Sequence, residues 1–366
     1  MKRTIFAMFC ILSAVSVSAA TGISEGSRNE ARAAVSKALS WLASKQAENG
    51  SWSNPRFPAL TGLPLWAMAI SGERAYSNQI AAATAFVKSC AQPDGGIYVP
   101  DPRRGGAGLG NYNTSVCMTA LHFSGVPDTL PLVLKAREYT ARTQLTGDDG
   151  HTGGFGYDRG GRRHSDLSNT AMAIDAMRLT QSAEDMRPSG SAKADLNWDK
   201  ALAYVSSMQD KDGGFLYVKN APEKSGPAAS ASAGGRTRPR LRSYGSITYD
   251  GLLSLMHCRL TRSDPRVVSA LDYCTRHWTL EENPGQGQQG IYFYYDVLVR
   301  ALNAAGVTEI KLQDGGTLNW REAVIAKLVS LQKPEGFWVN TDNRWWEADP
   351  VLSTSYALIA LLHAVK

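Results

Sequence analysis

The stretch from Gln144 to Ala176, QLTGDDGHTGGFGYDRGGRRHSDLSNTAMAIDA, carries the pattern that predicts the fold. It runs from the end of one helix through a Gly-Gly-Phe turn at 153–155, and then through a charged loop into a second helix. The first turn of that second helix is polar and contains Asp166, Ser168, Asn169 and Thr170. The stretch therefore describes a helical hairpin, in which glycines break the first helix and a polar loop leads to the second.

The same order of residues recurs along the chain. A glutamine precedes a glycine-containing turn in the segments Gln46–Trp52, Gln92–Gly96, Gln209–Phe215 and Gln332–Trp338, and a looser copy occurs at Gly287–Tyr292. The copies are roughly 45 to 75 residues apart, as expected when one helix pair repeats with loops of variable length. We therefore predict one domain of about six repeats over residues 27–366 instead of several domains.

Apolar periodicity places the helices of these pairs. The first starts at about 27 and ends before Gly50; the others are predicted at about 60–71, 77–91, 112–123, 132–144, 166–180, 197–209, 245–259, 265–277, 289–305, 319–332 and 350–365. Two segments interrupt the pairs. Residues 181–196 are predicted to be a polar linker, and 219–242, rich in Ser, Ala, Gly, Pro and Arg, a flexible loop.

The second helix of each pair is apolar on almost every side. Examples are TSVCMTALHF at 114–123 and STSYALIALL at 353–362. Such a helix must be surrounded by other helices, whereas the first helices carry charged residues on one face and suit the outside. An all-α fold satisfies both requirements: an α/α toroid of six helical hairpins, with an inner and an outer ring of helices.

The N-terminus predicts export. Residues 1–20 combine the basic start MKR, an apolar run from Ile5 to Val17 and small residues at 18–20, which is the pattern of a cleaved secretory signal peptide. We therefore expect a periplasmic or extracellular protein. Four cysteines remain after cleavage, and an exported chain permits disulfides between them. Cys258 with Cys274 is the preferred pair, and buried free thiols are the alternative.

The formal net charge of +6 is unevenly distributed. Arginines cluster at 103–104, at 159–163 and at 236–242, in loops that each lead into the second helix of a pair. They serve solubility, or they form a basic rim for an anion such as a diphosphate, an acidic glycan or a lipid head group at a membrane surface. Nucleic acid is an improbable partner, because no recognisable binding module is present.

The glutamine–glycine–aromatic turns followed by a Thr-Ala helix resemble the terpenoid cyclase and protein prenyltransferase repeat superfamily, above all the squalene–hopene cyclases. The resemblance covers nearly the whole chain after the signal peptide. It implies the toroid fold and, for the cyclase type, activity on a long apolar isoprenoid without metal or nucleotide cofactor. Because the same repeats also build the enclosing wall, they indicate fold more specifically than activity.

In squalene cyclases the motif Asp-x-Asp-Asp-Thr-Ala opens an inner helix, and its middle Asp protonates the polyene. The matching stretch here is Asp166–Ala171, with Ser168 at the position of the proton donor and Asn169 after it. A serine hydroxyl is not a strong acid, so His164 and Asp166 become the candidate catalytic residues. The alternative for Asp166 is that it caps the helix N-terminus.

Protein prenyltransferases instead hold a zinc ion with Asp, Cys and His. The nearest candidates are Asp250, His257 and Cys258. The adjacent His257 and Cys258 project about 100° apart on a helix, which prevents them from sharing one metal ion easily. No metal site is therefore predicted.

If the inner helices run parallel, their starts and the preceding loops form one mouth of the ring. The predicted substrate-binding residues there are Tyr112, Ser168, Asn169, Arg242, Tyr244, Tyr249, Asp250, Tyr292, Tyr295, Arg344, Trp345, Trp346 and Glu347. Aromatic rings beside carboxylates hold a carbocation through cation–π attraction, but the same set would also stack on sugars or clamp a peptide. For the tyrosines of 292–295, packing between the helix layers is the alternative.

Three functions remain open. The first is an exported cyclase-like protein that acts on, or binds, an isoprenoid or another apolar lipid. The second is a non-catalytic binding or scaffold module for a glycan, lipid or protein. The third is a polysaccharide lyase using Tyr249, Arg242 and Asp250. A closed apolar cavity would favour the first function, and an open polar groove would favour a glycan ligand.

Overall fold

The computed structural model describes residues 22–101, 108–147, 149–157, 164–219 and 242–366. The predicted signal peptide, nearly all of the predicted flexible loop 219–242 and most of the clustered arginines lie outside these ranges. Those arginines are Arg103, Arg104, Arg159, Arg162, Arg163, Arg236, Arg238 and Arg240. Export and the basic rim therefore stay predictions. No helix in the described part of the chain is long and apolar enough to span a bilayer.

The helices of the described ranges form two sets that alternate along the chain. The first set is α1 (Glu25–Lys45), α3 (Ser77–Ser89), α5 (Leu130–Thr143), α8 (Trp198–Ser207), α10 (Pro265–Arg276) and α12 (Trp320–Leu331). The second set is α2 (Ala59–Ser71), α4 (Gly110–Phe123), α6 (Leu167–Leu179), α9 (Gly245–His257), α11 (Ile291–Ala304) and α13 (Pro350–Ala364). Smaller elements are the short helix α7 (Gln181–Asp185), 3₁₀ turns at Arg74–Tyr76 and Arg344–Trp346, and an antiparallel pair, β1 (Ile310–Lys311) with β2 (Thr317–Leu318).

The second set forms a closed inner ring. Each inner helix packs against the next in the order α2, α4, α6, α9, α11, α13, and α13 returns to α2. The first set lies outside, and α1 contacts both α12 and α13, so the first and last pairs meet. In α13 all residues except Pro350 and His363 are buried, as expected for a helix surrounded on all sides. The predicted α/α toroid of six pairs is confirmed.

The repeated glutamine joins consecutive pairs. Gln144 Nε2 donates a hydrogen bond to the carbonyl of Gly153 in its own turn, and another to the carbonyl of Asn197 at the start of the next outer helix, both at 3.1 Å. Gln46, Gln209 and Gln332 make the same two kinds of bond. For Gln332 the second acceptor is the Ala34 carbonyl of α1, so this contact also closes the ring.

The residue after the turn glycines is fixed to its own inner helix. The Phe155 amide donates to Thr170 Oγ1 of α6 at 2.9 Å, and Phe155 is fully buried. The same amide-to-threonine bond occurs at Trp52, Ile97, Phe215 and Trp338. A threonine near the start of each of these inner helices, Thr170 in α6, therefore accepts a hydrogen bond from a buried backbone amide that would otherwise have no partner.

Three details differ from the sequence-based predictions. α1 begins at Glu25, slightly before the predicted start at about 27, because Ser24 is its N-cap and accepts from the Ser27 amide. Residues 181–196 are not only a linker, since they contain α7, which Glu184 ties to the buried Arg137 of α5 at 3.0 Å. The four cysteines of the described chain are free thiols. The preferred Cys258–Cys274 pairing is absent, and Cys274 instead contacts Tyr249.

The interior of the ring is partly filled by an ion cluster. Arg300 of α11 donates to Asp175 of α6 at 2.5 Å and, with two nitrogens, to Asp296 at 3.0 Å. His257 Nε2 lies 2.9 Å from the other oxygen of Asp175. Arg300, Asp175 and Asp296 are largely buried, so each of these charges depends on its partners. The ring is therefore not hollow throughout its length.

Candidate functional site

A cavity of about 260 Å³ opens at the N-terminal ends of the inner helices. Every inner helix, or the loop before it, contributes to its wall, which shows that the inner helices run parallel. The lining residues are Phe57, Ala59, Leu60, Leu109, Tyr112, Asn113, Tyr157, Ser168, Asn169, Tyr217, Tyr244, Ser246, Ile247, Phe293, Trp345, Trp346, Glu347, Leu352 and Tyr356. Within the described residues, no lysine, arginine or histidine lines it. The cavity is enclosed mostly by carbon atoms, with a few polar groups.

Nine of the lining residues are aromatic, and several are held in fixed pairs. Phe57 meets Trp346 edge to face at 4.6 Å between ring centroids, and Phe293 meets Tyr356 at 5.5 Å. The hydroxyl of Tyr356 also lies 3.1 Å from that of Tyr112. Edge-to-face pairs of this kind add to the stability from burial. The aromatic wall is therefore held in place by contacts within the protein.

Two tryptophans form the rim of the cavity. Trp345 and Trp346 are each 43% exposed and both have a positive φ, of 56° and 67°. Left-handed backbone is unfavourable for a residue with a side chain, and such strain is concentrated at binding and active sites. Gly290 allows the close approach of Trp345, since a Cβ at Gly290 would lie 2.7 Å from the indole ring. Arg344 packs over the Trp345 ring at 5.4 Å.

Glu347 supplies the carboxyl group of the cavity. It is 1% exposed and accepts hydrogen bonds from the amides of Phe293 at 2.8 Å and Tyr292 at 3.3 Å, and from Asn340 Nδ2 at 2.8 Å. It thus caps the N-terminus of α11 from another segment. Burial raises its pKa to about 7, against the lowering effect of these hydrogen bonds.

The motif at the start of α6 separates into two parts. Asp166 is the N-cap of α6, fully buried, and accepts from the Asn169 amide at 2.8 Å. It does not line the cavity, whereas Ser168 and Asn169 do. The position that matches the proton donor of squalene cyclases therefore faces the cavity, but it carries a neutral hydroxyl. The capping role predicted as the alternative for Asp166 is the one that the structure displays.

The other candidate acid, His164, is exposed and packs near the His151 ring at 5.6 Å, outside the cavity lining. Arg242 is likewise exposed and outside the lining. Arg344 contacts the rim through Trp345 but does not line the cavity either. The sequence predicted these three side chains in the site because each precedes an inner helix. The loop conformation instead places them outside the cavity lining.

Four further predicted residues are buried outside the cavity. Tyr249 packs against Tyr294 at 5.7 Å, Tyr295 donates its hydroxyl to the Leu280 carbonyl at 2.7 Å, and Tyr292 meets Tyr295 edge to face at 6.0 Å. Tyr292 and Tyr295 pack between helix layers, which was the alternative for the tyrosines of 292–295, whereas Tyr249 was predicted only as a binding residue. Asp250 is 2% exposed, and its Oδ2 has no partner within the described residues. Burial raises the pKa of Asp250 well above its usual range. The positive charge of Arg300, which pairs with two other carboxylates, acts in the opposite direction but does not outweigh burial.

The sequence-based prediction missed Phe57, Tyr157, Tyr217, Phe293 and Tyr356 as lining residues. A signal for two of them exists: Tyr157 and Tyr217 each stand two residues after a Gly-Gly-Phe turn, in the sequences GGFGY and GGFLY. Their hydroxyls lie 2.7 Å apart. Consecutive repeats thus place equivalent tyrosines side by side at the cavity wall.

A search of the described residues finds no cluster of three or more His, Cys, Asp or Glu side chains arranged to hold a metal ion. His257 and Cys258, the nearest zinc candidates, have other surroundings. His257 pairs with Asp175, and burial raises the pKa of the Cys258 thiol to about 11.

The closed double ring with a cavity at one end of the inner helices defines the chain as an α/α toroid. No family model matches the sequence, and no curated protein matches it either. Solved structures do match. Type II terpene cyclase MstE from Scytonema, solved with its product merosterolic acid A, superposes with a TM-score of 0.56 at 12% identity, over 94% of this chain and 99% of that chain.

Two toroids solved with carbohydrates are also similar to this chain in backbone. An inactive variant of the α-1,6-mannanase GH76A of Salegentibacter, solved with α-1,6-mannotriose, gives a TM-score of 0.56 at 11% identity, over 93% of this chain and 98% of that chain. Dfg5 from Chaetomium thermophilum, solved with glucosamine, gives 0.53 at 11% identity, over 94% and 90%. The resemblance to terpenoid cyclases is thus confirmed at the level of the fold, and function has to be argued from the site.

Proposed function

We propose that the protein binds an isoprenoid, or a similarly compact apolar lipid, in the aromatic cavity. The observation that carries this proposal is the cavity itself: nine aromatic side chains line it, together with Leu60, Ile247 and Leu352. Apolar surface buried against such a wall stabilises a complex by about 25 cal/mol per Å². The terpene cyclase MstE, which shares the fold, was also solved with geranylgeranyl dihydroxybenzoate as its substrate.

The size of the cavity limits the ligand. Its volume of about 260 Å³ lies just below the range of about 300–1,000 Å³ usual for small-molecule pockets. A short prenyl chain, or one fused-ring head of a larger molecule, suits this space better than an entire triterpene. The substrate size typical of squalene cyclases is therefore not supported.

The chemistry of the lining favours binding over cyclisation. Ser168 occupies the position of the usual proton donor, and Asp166 serves as a helix cap away from the cavity. Glu347 lines the cavity, but an acid with a pKa of about 7 is too weak to protonate an alkene efficiently. We therefore favour an exported isoprenoid-binding toroid over an active cyclase.

A glycan ligand is the second candidate, because two toroids of similar backbone were solved with mannotriose and glucosamine. Glycoside hydrolysis uses a pair of carboxyl groups, and Glu347 is the only one that lines the cavity within the described residues. A polysaccharide lyase function is not supported either, because its candidate residues Tyr249 and Asp250 are buried outside the cavity. The non-catalytic binding function remains compatible with either ligand class.

The experiment is a calorimetric titration of the purified protein with all-trans-farnesol and, separately, with α-1,6-mannotriose. Farnesol is expected to bind and mannotriose to fail. Trp346→Ala removes a rim indole and is expected to weaken farnesol binding, by analogy with aromatic contact residues that contribute 1 kcal/mol or more. Met186→Ala changes a side chain that is 57% exposed and does not line the cavity, and this variant should bind like the wild type.

Two outcomes would overturn the proposal. Binding of mannotriose without farnesol would indicate a glycan site. Farnesol binding that is as tight in Trp346→Ala as in Met186→Ala and the wild type would show that binding occurs elsewhere than in the aromatic cavity.

A further inference from the structure

The segment from Asn340 to Glu347 is a loop whose two ends are joined to each other. The Asn340 amide donates a hydrogen bond to the Glu347 carbonyl at 3.0 Å, and Asn340 Nδ2 donates to Glu347 Oε2 at 2.8 Å. Both residues are buried. They form the base of the loop, and residues 341–346 between them form its tip.

The base is fixed to two inner helices. Glu347 Oε1 accepts from the Phe293 amide of α11 at 2.8 Å, and the Glu347 carbonyl accepts from Ser353 Oγ of α13 at 2.7 Å. Asn340 Nδ2 also donates to the Gln288 carbonyl, before α11, at 2.7 Å. Displacing the base would leave several buried polar groups without partners, which is costly.

The tip is held much less firmly. All of residues 341–346 are exposed except Asp342, which is half-buried. Within the part of the chain that the structure describes, the hydrogen bonds of the tip stay inside residues 340–349; an example is the Arg344 amide, which donates to Asp342 Oδ1 at 2.8 Å. Exposed segments with few bonds to the rest of a fold open at low free-energy cost.

Two apolar contacts hold the tip across the mouth of the cavity. Trp346 meets Phe57, which precedes α2 of the first helix pair, edge to face at 4.6 Å. Trp345 lies against Gly290 at the start of α11 in the fifth pair, where a Cβ would be 2.7 Å from the indole ring. The left-handed backbone of both tryptophans opposes this conformation. The contacts therefore hold a strained tip in place.

We propose that residues 341–346 are a flap, which turns about the Asn340–Glu347 base to admit an apolar ligand to the cavity. In the closed position the two indoles rest on Phe57 and Gly290. In the open position these two contacts are lost, and the hydrogen bonds of the base persist. This inference rests on the proposed isoprenoid-binding function and concerns how the ligand enters that site.

A flap and a fixed rim predict different kinetics. If Trp345 and Trp346 only contact the bound ligand, loosening them raises the dissociation rate constant and leaves the association rate constant unchanged. If they belong to a flap, loosening it raises both rate constants by a similar factor, because the closed flap covers the mouth before and after binding. The dissociation constant then changes little.

Gly290→Ala tests the flap, because its methyl group would overlap the Trp345 ring and disfavour the closed position. Gly287→Ala is the matched control: its φ of +60° is close to the +65° of Gly290, but a Cβ there meets nothing within 4 Å. Stopped-flow fluorescence with farnesol gives both rate constants. We expect Gly290→Ala to raise both by roughly two- to tenfold, the effect of losing one aromatic contact, and Gly287→Ala to behave like the wild type.

Phe57→Leu loosens the opposite side of the flap. It removes the edge-to-face contact with Trp346 and keeps an apolar side chain, so it preserves the test if Gly290→Ala does not fold. The same rise of both rate constants is expected. A rise of the dissociation rate constant alone, in either variant, would show a fixed rim and overturn the flap.

Hydrogen exchange tests the flap in the absence of any ligand. The amides of residues 341–346 are expected to exchange faster in Gly290→Ala than in Gly287→Ala, whereas those of α13 should exchange equally in both. Equal exchange of 341–346 in the two variants, measured by mass spectrometry, would overturn the flap even if farnesol binds. If farnesol does not bind, the proposed function fails, and the exchange measurement alone decides whether the flap opens.

Discussion

At the scale of single residues, the start of α6 shows how far a motif can be interpreted. The resemblance to cyclases directed attention to Asp166, Ser168 and Asn169, and the latter two do line the cavity. The role of Asp166 could not be predicted, because an aspartate that caps a helix and one that acts as an acid look identical in sequence. Only the hydrogen bond to the Asn169 amide, at 2.8 Å, distinguishes them.

Glu347 gives a prediction at the same scale. Its pKa is about 7 in the folded protein, above its ordinary value of 4.5, so the folded state holds this proton more tightly. The resulting stabilisation is complete below about pH 4.5 and is lost as the pH rises to about 7. Glu347→Gln cannot titrate and is expected to lack this loss.

The measurement is the free energy of unfolding in urea between pH 4.5 and 7.5 for the wild type and Glu347→Gln. The two proteins are compared because buried His363 also makes the free energy of unfolding depend on pH. Its pKa is lowered to about 4, so its contribution has the opposite sign to that of Glu347 over part of this pH range. A difference that stays constant with pH would contradict a raised pKa at Glu347.

At the scale of the elements, the repeated turn was predictable and its partners were not. The order of glutamine, glycine and aromatic residue is visible in sequence. The hydrogen bonds of the repeated glutamine extend to the next helix pair: Gln144 Nε2 donates to the carbonyl of Asn197, 53 positions away. Loop lengths between pairs vary, so no spacing rule in the sequence predicts which carbonyl receives the second bond. The steric requirement for glycine is clearest at the first glycine of each turn, where a Cβ would overlap a carbonyl oxygen of the next outer helix.

Gly153 tests this element. Its φ is +87°, and a Cβ there would lie 2.1 Å from the Lys200 carbonyl oxygen of α8. Gly190 has a similar φ of +85°, but a Cβ there would meet nothing within 4 Å. Gly190→Ala is therefore expected to cost about 1–2 kcal/mol from backbone strain alone. Gly153→Ala adds a steric overlap worth a further ~1–3 kcal/mol.

The measurement is thermal and urea unfolding of both alanine variants against the wild type. Similar destabilisation by the two substitutions would mean that the turn does not pack tightly on the next outer helix, contrary to the close contact described here.

At the scale of the whole molecule, the double ring and the parallel inner helices were predictable from the distribution of apolar residues. The ion cluster inside the ring was not. Asp296 and Arg300 are four residues apart and suggest an ordinary pair on one helix, but Arg300 also binds Asp175, 125 positions away. Ring closure brings these groups together, so their pairing depends on the complete fold.

Arg300→Leu is expected to destabilise the protein by about 3–5 kcal/mol, because it leaves two buried carboxylates without their cation. Arg276→Leu is the matched control. Arg276 also pairs with an aspartate four residues before it, Asp272, at 3.0 Å, but both side chains are substantially exposed. The control is therefore expected to cost about 0–1 kcal/mol. Equal effects of the two substitutions on urea unfolding would show that Arg300 does not hold the ring interior together.

The most direct test of the central claim is native mass spectrometry of the protein purified gently from the cells or medium that produce it, followed by lipid extraction. The account predicts that an apolar molecule bearing an isoprenoid chain is carried by the wild type and is depleted from Trp346→Ala. A protein that carries no apolar molecule, and that is not stabilised when farnesol is added, would contradict the claim that the aromatic cavity is an isoprenoid site.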